Sequence, residues 1–181
     1  MSAPVPTYAE GMSFSIRRAV SGDAEDFVTV HLQSWRESYS HVLGEDVFQR
    51  RETDRTAAVA HRRAAIADQA QNPAIGNWVA RSQDGRLLGF SSAGPARDTD
   101  IGIPLELWSI YILAEAYGSG VGQALLEHAV GNDPAYVWVL EDNPRAQAFY
   151  RRNGFVADGA SKDLPMAWAG TGMVEIRMVR N

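Results

Sequence analysis

Three glycines on alternate positions, Gly118, Gly120 and Gly122, separate an apolar run from a helical pattern in Tyr117-Gly118-Ser119-Gly120-Val121-Gly122. Glycine reaches backbone conformations barred to other residues and, lacking a side chain, lets a ligand approach the amides. Where such a turn opens a helix, unpaired N–H groups and the positive dipole end favour a phosphate or pyrophosphate. A second set of candidates lies earlier: His31, Trp35 and Tyr39 fall on successive helical turns, with Glu37 close by. That stripe reads either as a helix face packed on a sheet or as the wall of a substrate pocket. His31 has no second ligand at metal-binding spacing, so no metal is expected.

The elements that must position these groups follow from patterning. After a tail over residues 1–11 holding Pro4, Pro6 and Gly11, Phe14 to Ala19 alternates as a short strand, and Ser21-Gly22-Asp23 supplies a turn with Asp23 as a helix cap. Ala24, Phe27, Val28, His31, Leu32, Trp35 and Tyr39 trace one helix face. Glu45 to Gln71 is dense in helix formers and makes one long helix or two, ended by Asn72-Pro73. Trp78–Arg81 and Leu87–Phe90 are strands joined at Asp84-Gly85, and Gly94 to Pro104 is a polar link. Leu105 to Leu113 is an aromatic and branched run suited to a buried strand, followed by the glycine turn and a helix stopped by Gly131-Asn132-Asp133-Pro134. Ala135–Leu140 is a strand, Asn143 caps a helix with Pro144 at its first position and Gly154 at its end, and Val156–Ala160 and Met173–Val179 are terminal strands around a loop from Asp163 to Gly172. This order implies a mixed sheet with helices on both faces, an α/β or α+β arrangement.

Composition narrows the function classes. The 181 residues suit one domain with its own core. The absence of cysteine excludes disulfides, thiolate ligands and a cysteine nucleophile, and fits a reducing compartment. A net charge of -5 argues against broad nucleic-acid binding and accords with a cationic substrate. No apolar run approaches the roughly 20 residues of a membrane helix, and the N-terminus lacks a signal-peptide layout, so a soluble, cytoplasmic protein without a membrane partner is expected.

The glycine segment resembles the acyl-CoA-binding signature of the GCN5-related N-acetyltransferase (GNAT) family, Q/R-x-x-G-x-G/A, with Tyr117 standing where the family has Arg or Gln and Ala114 where it often has Pro. A more specific match is Asn143-Pro144-Arg145-Ala146-Gln147-Ala148-Phe149-Tyr150-Arg151-Arg152-Asn153-Gly154-Phe155, which is similar to the family's second hallmark, N-x-x-A-x-x-F-Y-x-x-x-G-F. The resemblance covers nearly the whole chain after the tail, making 12–181 an N-acetyltransferase domain. It implies a mostly antiparallel sheet splayed between two parallel strands, Leu105–Leu113 and Ala135–Leu140, with acetyl-CoA as co-substrate in the gap. Pantetheine would bond backbone near Ile110, Tyr111 and Ile112, the pyrophosphate would lie on the amides from Gly118 to Gly122, including Ser119 and Val121, and Asn143 and Ala146 would support the cofactor.

The resemblance also assigns roles. Glu106 matches the acidic position that often opens this strand and becomes the general base, with Glu141 and Asp142 as competitors; its other reading is a surface glutamate. Tyr150 matches the residue that protonates the departing thiolate, and a phenol titrating near ~10 stays protonated at neutral pH. Trp35, Tyr39 and Glu37 would border an amine acceptor, and a homodimer accords with the family. The expected activity is acetyl transfer to a primary amine; the alternative is an acyl-CoA sensor without catalysis. A generic nucleotide site is disfavoured, because G-x-x-x-x-G-K-[ST] is absent.

Overall fold

Seven strands, β1 (Phe14–Arg18), β2 (Gly76–Ser82), β3 (Leu87–Pro95), β4 (Leu105–Ile112), β5 (Ala135–Leu140), β6 (Val156–Asp163) and β7 (Val174–Arg180), form one sheet in the order β1-β2-β3-β4-β5-β7-β6. The computed structural model describes residues 13–41, 43–69, 71–164 and 172–181, so the tail over 1–11 and most of the loop before β7 lie outside the described residues. The helices are α1 (Ala24–Tyr39), α2 (Glu45–Thr53), α3 (Arg55–Asp68), α4 (Val121–Val130) and α5 (Pro144–Arg152). Among the described residues no helix is long and apolar enough to cross a membrane.

All neighbouring strands are antiparallel except β4 and β5, which run parallel and pair only at Glu106↔Tyr136 and Leu107↔Val137. The cause of their divergence starts on the other edge of β4. Opposite β3, Ser92 faces Ser109 while Ala93 faces Leu107, so Trp108 is an extra residue and β4 bulges there. A bulge bends its strand and raises the local twist, which carries the second half of β4 away from β5. Gly94 makes room for this, since a Cβ at that position would sit 2.4 Å from the Trp108 ring.

Helices cover both faces. Phe27 of α1 and Ile66 of α3 pack with Val79 and Phe90 of the sheet on one side. Leu126 of α4 and Tyr150 of α5 pack with Leu107, Val137 and Met178 on the other. Each fully buried large apolar side chain of this kind contributes about 1.5–3 kcal/mol relative to exposure.

Three local features differ from the patterning. The helical stretch after Glu45 divides at Asp54, whose ψ of 2° is not helical, in keeping with aspartate's preference for helix ends. Strand β3 runs on to Pro95, because Ser91, Ser92, Ala93 and Gly94 are small enough to lie buried beneath neighbouring elements. Asp23 occupies the position before α1, but its carboxylate makes no helix cap. It accepts instead from the Val20 amide at 2.8 Å and from Arg17 and Arg81 at 2.7 Å, tying β1 and β2 to the helix start.

Candidate active site

Where β4 leaves β5, a cleft of about 510 Å³ opens between them. Among the described residues the β4 edge that faces β5 has no partner strand beyond Leu107, which leaves backbone N–H and C=O groups for an extended ligand to bond as an added strand. Ile110, Tyr111 and Ile112 line this edge.

One end of the cleft is the glycine turn. Gly118 has φ 77° and Gly120 φ 90°, while no residue other than glycine among those described has positive φ, so the turn depends on glycine at both positions. Gly120 is the cap of α4 without a side-chain bond, and Gly118, Gly120, Gly122 and Gln123 face the cleft. The first N–H groups of a helix have no acceptor within it, and here they stand at the cleft with the positive end of the α4 dipole. Gly122 has a packing role as well: a Cβ there would lie 2.8 Å from Ile112 Cδ1. Ser119 and Val121 do not line the cleft. Ser119 Oγ instead donates to the Ala116 carbonyl at 2.6 Å, and Val121 is buried under the sheet.

Glu37 is not in the cleft wall either. Its Oε2 accepts from the Ala114 amide at 2.8 Å and its Oε1 from Gln33, so it fastens the short turn Ala114–Ala116 ahead of the glycines to α1. Tyr117 does line the cleft, and the Arg145 guanidinium lies over its ring at 3.9 Å from the centroid. A cation thus reaches the mouth of the glycine turn from α5.

The α5 start is built as its residues dictate. Asn143 Oδ1 accepts from the Ala146 amide at 3.0 Å, and Pro144 takes the first helical position, where a missing N–H costs nothing. Asn143 Nδ2 donates to Tyr39 Oη at 2.8 Å, joining the cap to α1. Trp35 Nε1 donates to Tyr111 Oη at 3.1 Å. Trp35, Tyr39, Asn143 and Ala146 all line the cleft, so the aromatic stripe of α1 is both core and cleft wall.

Tyr150 projects from α5 into the cleft and is 5 % exposed. Its hydroxyl has no hydrogen-bond partner among the described residues, and burial, then the fields of Tyr111 and Tyr39, raise its pKa. Burial likewise pushes the Tyr39 phenol up to about 12, with Tyr111 adding to the rise and the Asn143 hydrogen bond opposing it. These phenols hold their protons at any working pH.

The carboxylates fall differently from the sequence reading. Glu106 is 1 % exposed and does not line the cleft. Its Oε2 accepts from the Arg97 amide at 3.1 Å, Arg97 Nε at 2.9 Å and Tyr136 Oη at 2.9 Å, while Oε1 accepts from Arg97 Nη2. Its acceptor capacity is spent on fixing the β3–β4 connection, which corrects its placement as the base facing an incoming amine. The carboxylate in the cleft is Glu175 of β7, opposite Leu140. Burial raises its pKa; Lys162, 3.8 Å away, opposes that rise, as does Arg97, whereas Glu106 adds to it. Sequence patterning missed Glu175 because it sits in a terminal strand with no motif around it. Arg145 was within reach, as the one cation at the third position of the second hallmark. Among the described residues no group of three or more His, Cys, Asp or Glu side chains could hold a metal ion.

Comparison with known proteins gives this geometry a family. The profile described as "Acetyltransferase (GNAT) domain" matches residues 73–157, from the start of the β2–β3 hairpin to the end of the second hallmark. The chain is similar to "Uncharacterized N-acetyltransferase YuaI" of Bacillus subtilis, 30 % identical over 137 residues that cover 72 % of this chain and 73 % of that protein. Among solved structures, a PaiA N-acetyltransferase from Thermoplasma acidophilum in complex with coenzyme A aligns at TM-score 0.71 and 21 % identity, covering 94 % of this chain and 99 % of that one. A putative acetyltransferase, YncA, from Salmonella typhimurium with acetyl-CoA aligns at TM-score 0.66 and 18 % identity, covering 92 % of both. With a parallel β4/β5 pair that parts at a bulge, a glycine turn at the mouth of the gap and this relative matched over most of its length, the chain belongs to the GNAT acetyltransferases.

Proposed function

We propose that the protein transfers an acetyl group from acetyl-CoA to a primary amine by direct attack, and that Glu175 and Tyr150 handle the protons. The observation that carries this reading is a single cleft with phosphate-type donors at one end, a free strand edge along its side, and a carboxylate and an unpartnered phenol in its walls. The co-substrate fits the residues present. The positive-φ glycines and α4 amides suit the pyrophosphate, Arg145 suits a further phosphate oxygen, and the β4 edge suits the amides of pantetheine.

In the reaction, the amine nitrogen bonds to the thioester carbonyl carbon and the C–S bond breaks. Glu175 takes the proton that the nitrogen loses, directly or through a water, and its raised pKa improves it as a base. Tyr150 donates its proton to the departing sulfur and recovers one from solvent. Backbone N–H groups of β4 beyond Leu107, free of β5, would stabilise charge on the carbonyl oxygen.

The other reading, an acyl-CoA sensor, shares the binding half of this site and lacks the chemistry. Following thiol release from acetyl-CoA over a panel of amines separates the two. Amine-dependent release that is lost in Glu175→Gln supports transfer. Tight CoA binding with no release over the panel supports the sensor.

A further inference from the structure

A second cavity, of about 340 Å³, opens on the α1 and α3 face of the sheet. Trp108, Ser109 and Tyr111 belong to the walls of both cavities, so the bulge of β4 is the threshold between them. Arg62 of α3 faces this second space. Its guanidinium lies 4.9 Å from the Phe27 ring centroid and 5.7 Å from that of Phe90. Among the described residues its one hydrogen bond is a long contact of 3.4 Å to Ser92 Oγ, and no carboxylate lies within ion-pair distance of it. Ser92 Oγ is itself committed to Asn77 Oδ1 at 2.7 Å. Burial holds the Arg62 pKa below the ordinary arginine value, with only the Tyr111 phenol opposing, so its surroundings provide no compensating anion.

The rest of the wall does not supply one. His31 is neutral, its pKa pushed down to about 3 by burial and then by Arg51 and Arg62. Arg97 is taken by Glu106, and Glu106 in turn is spent on Arg97 and Tyr136. Asp68 is exposed at the rim of the cavity, where water screens it, and His61 is exposed beside Arg62. Arg62 is half-buried over two aromatic rings, its remaining N–H donors are open to the cavity rather than to a protein acceptor, and its planar fork matches an oxyanion.

We propose that the second cavity is an oxyanion subsite for the acceptor, with Arg62 as its anchor, so that the preferred amine carries a carboxylate or phosphate group. Resting on the acetyl-transfer reading above, this replaces the cationic substrate with which the net charge of -5 accords: Glu37 and Glu106, the acidic residues expected at the site, are spent on backbone and Arg97. The amine would lie in the cleft near Glu175 and the oxyanion across the Trp108-Ser109-Tyr111 threshold.

The test uses α- and ω-amino acids of graded length, each paired with its uncharged amide, and aminoalkyl phosphates paired with the parent aminoalcohols. The kcat/KM ratio within each pair is measured by thiol release from acetyl-CoA for the wild-type protein, Arg62→Gln and Arg62→Lys. The expected result is an anion preference of at least about tenfold in one pair, reduced about tenfold or more in Arg62→Gln and partly kept in Arg62→Lys. Because the ratio is internal to each protein, loss of folded material does not mimic the effect. Whether carboxylate or phosphate pairs show the preference identifies the oxyanion. Equal or better use of the uncharged partners by the wild-type protein, or a ratio unchanged by Arg62→Gln, overturns the subsite. If no amine releases thiol, the transfer reading fails and the subsite is judged by calorimetry on the CoA-saturated protein. N-acetyl-β-alanine and aminoethyl phosphate are titrated there against N-acetyl-β-alaninamide and ethanolamine: Arg62-dependent binding of an anion sustains it, and equal or absent binding of all four overturns it.

Discussion

The Arg145 guanidinium stacks over the Tyr117 ring at 3.9 Å from its centroid, at the mouth of the glycine turn. Tyr117 replaces the arginine or glutamine of the family signature, and the stacked pair returns a cation to that place from α5. Arg145 also donates to Ser38 Oγ at 3.2 Å, which limits its freedom. One charge-assisted bond to a phosphate is worth ~1.5 kcal/mol, so Arg145→Ala should raise KM for acetyl-CoA about tenfold and leave kcat near its original value. Adding Tyr117→Arg to that variant should recover most of the loss. Steady-state kinetics with acetyl-CoA as the varied substrate checks both. An unchanged KM in Arg145→Ala would show that the α4 amides suffice.

Tyr150 and Glu175 should affect turnover in different ways. Tyr150→Phe should lower kcat by about 10²–10³-fold with CoA affinity little altered, the size expected of a positioned acid. Since burial raises the Tyr150 pKa, no loss of activity from its ionisation is expected up to ~pH 10. Calorimetric CoA affinity alongside kcat separates a catalytic role from a packing one.

Glu175→Gln should lower kcat/KM by about 10²–10⁴-fold. In the wild-type protein Glu175 must be ionised to act, and its pKa is raised by burial. Activity should therefore fall as pH drops through a value above the usual carboxylate range of ~4.3, and this acid limb should vanish from the residual activity of Glu175→Gln. A pH profile of kcat/KM measures it.

Glu106→Gln should behave as a stability variant. The carboxylate is buried and accepts three hydrogen bonds at Oε2, while the Arg97 side chain is 63 % exposed and partly solvated. A loss of about 1–3 kcal/mol is expected, with the pH profile of the remaining activity unmoved. A denaturant titration combined with that profile tests it, and a lost acid limb would return Glu106 to the chemistry.

Acid sensitivity should be concentrated at Asp23. Burial alone would raise its pKa, but hydrogen bonds from Arg17, the Val20 amide and Arg81 outweigh that and hold it far below the ordinary value. A depressed folded-state pKa gives stability that is present above the unfolded value of ~3.9 and lost as pH falls below it. Asp23→Asn should lower Tm at neutral pH and flatten its decline between ~pH 4 and pH 2. The expected loss at pH 7 is about 2–4 kcal/mol, shifted below the ~3–5 kcal/mol of a fully buried broken pair because the Arg17 side chain is 43 % exposed.

Much of this architecture was readable from spacing. The glycine turn, the Asn143 cap with Pro144 behind it and the order of strands all rest on local rules, and local rules act over a few neighbouring residues. Glu106 shows where that reading stops. Its position in the strand was legible, whereas its partners Arg97 and Tyr136 come from a different strand connection and a parallel neighbour. The surroundings of Glu175 and Arg62 were hidden for the same reason: one faces the gap where β4 and β5 part, the other lies over Phe27 and Phe90 with no carboxylate among the described residues at ion-pair distance. The Trp108 bulge, which lies in the walls of both cavities, is marked in the sequence only by Gly94 fourteen residues before it, and the match between them is steric.

Acetyl transfer itself is tested most directly with acetyl-CoA labelled in the acetyl carbon, mixed with the protein and an acceptor panel that includes amino acids and their amides. Label is expected to appear as an N-acetyl group on an amine in the same amount as thiol is released, and both should fall together in Tyr150→Phe and Glu175→Gln. Saturable CoA binding with no labelled amide and no thiol above the uncatalysed background, over the whole panel, would contradict it.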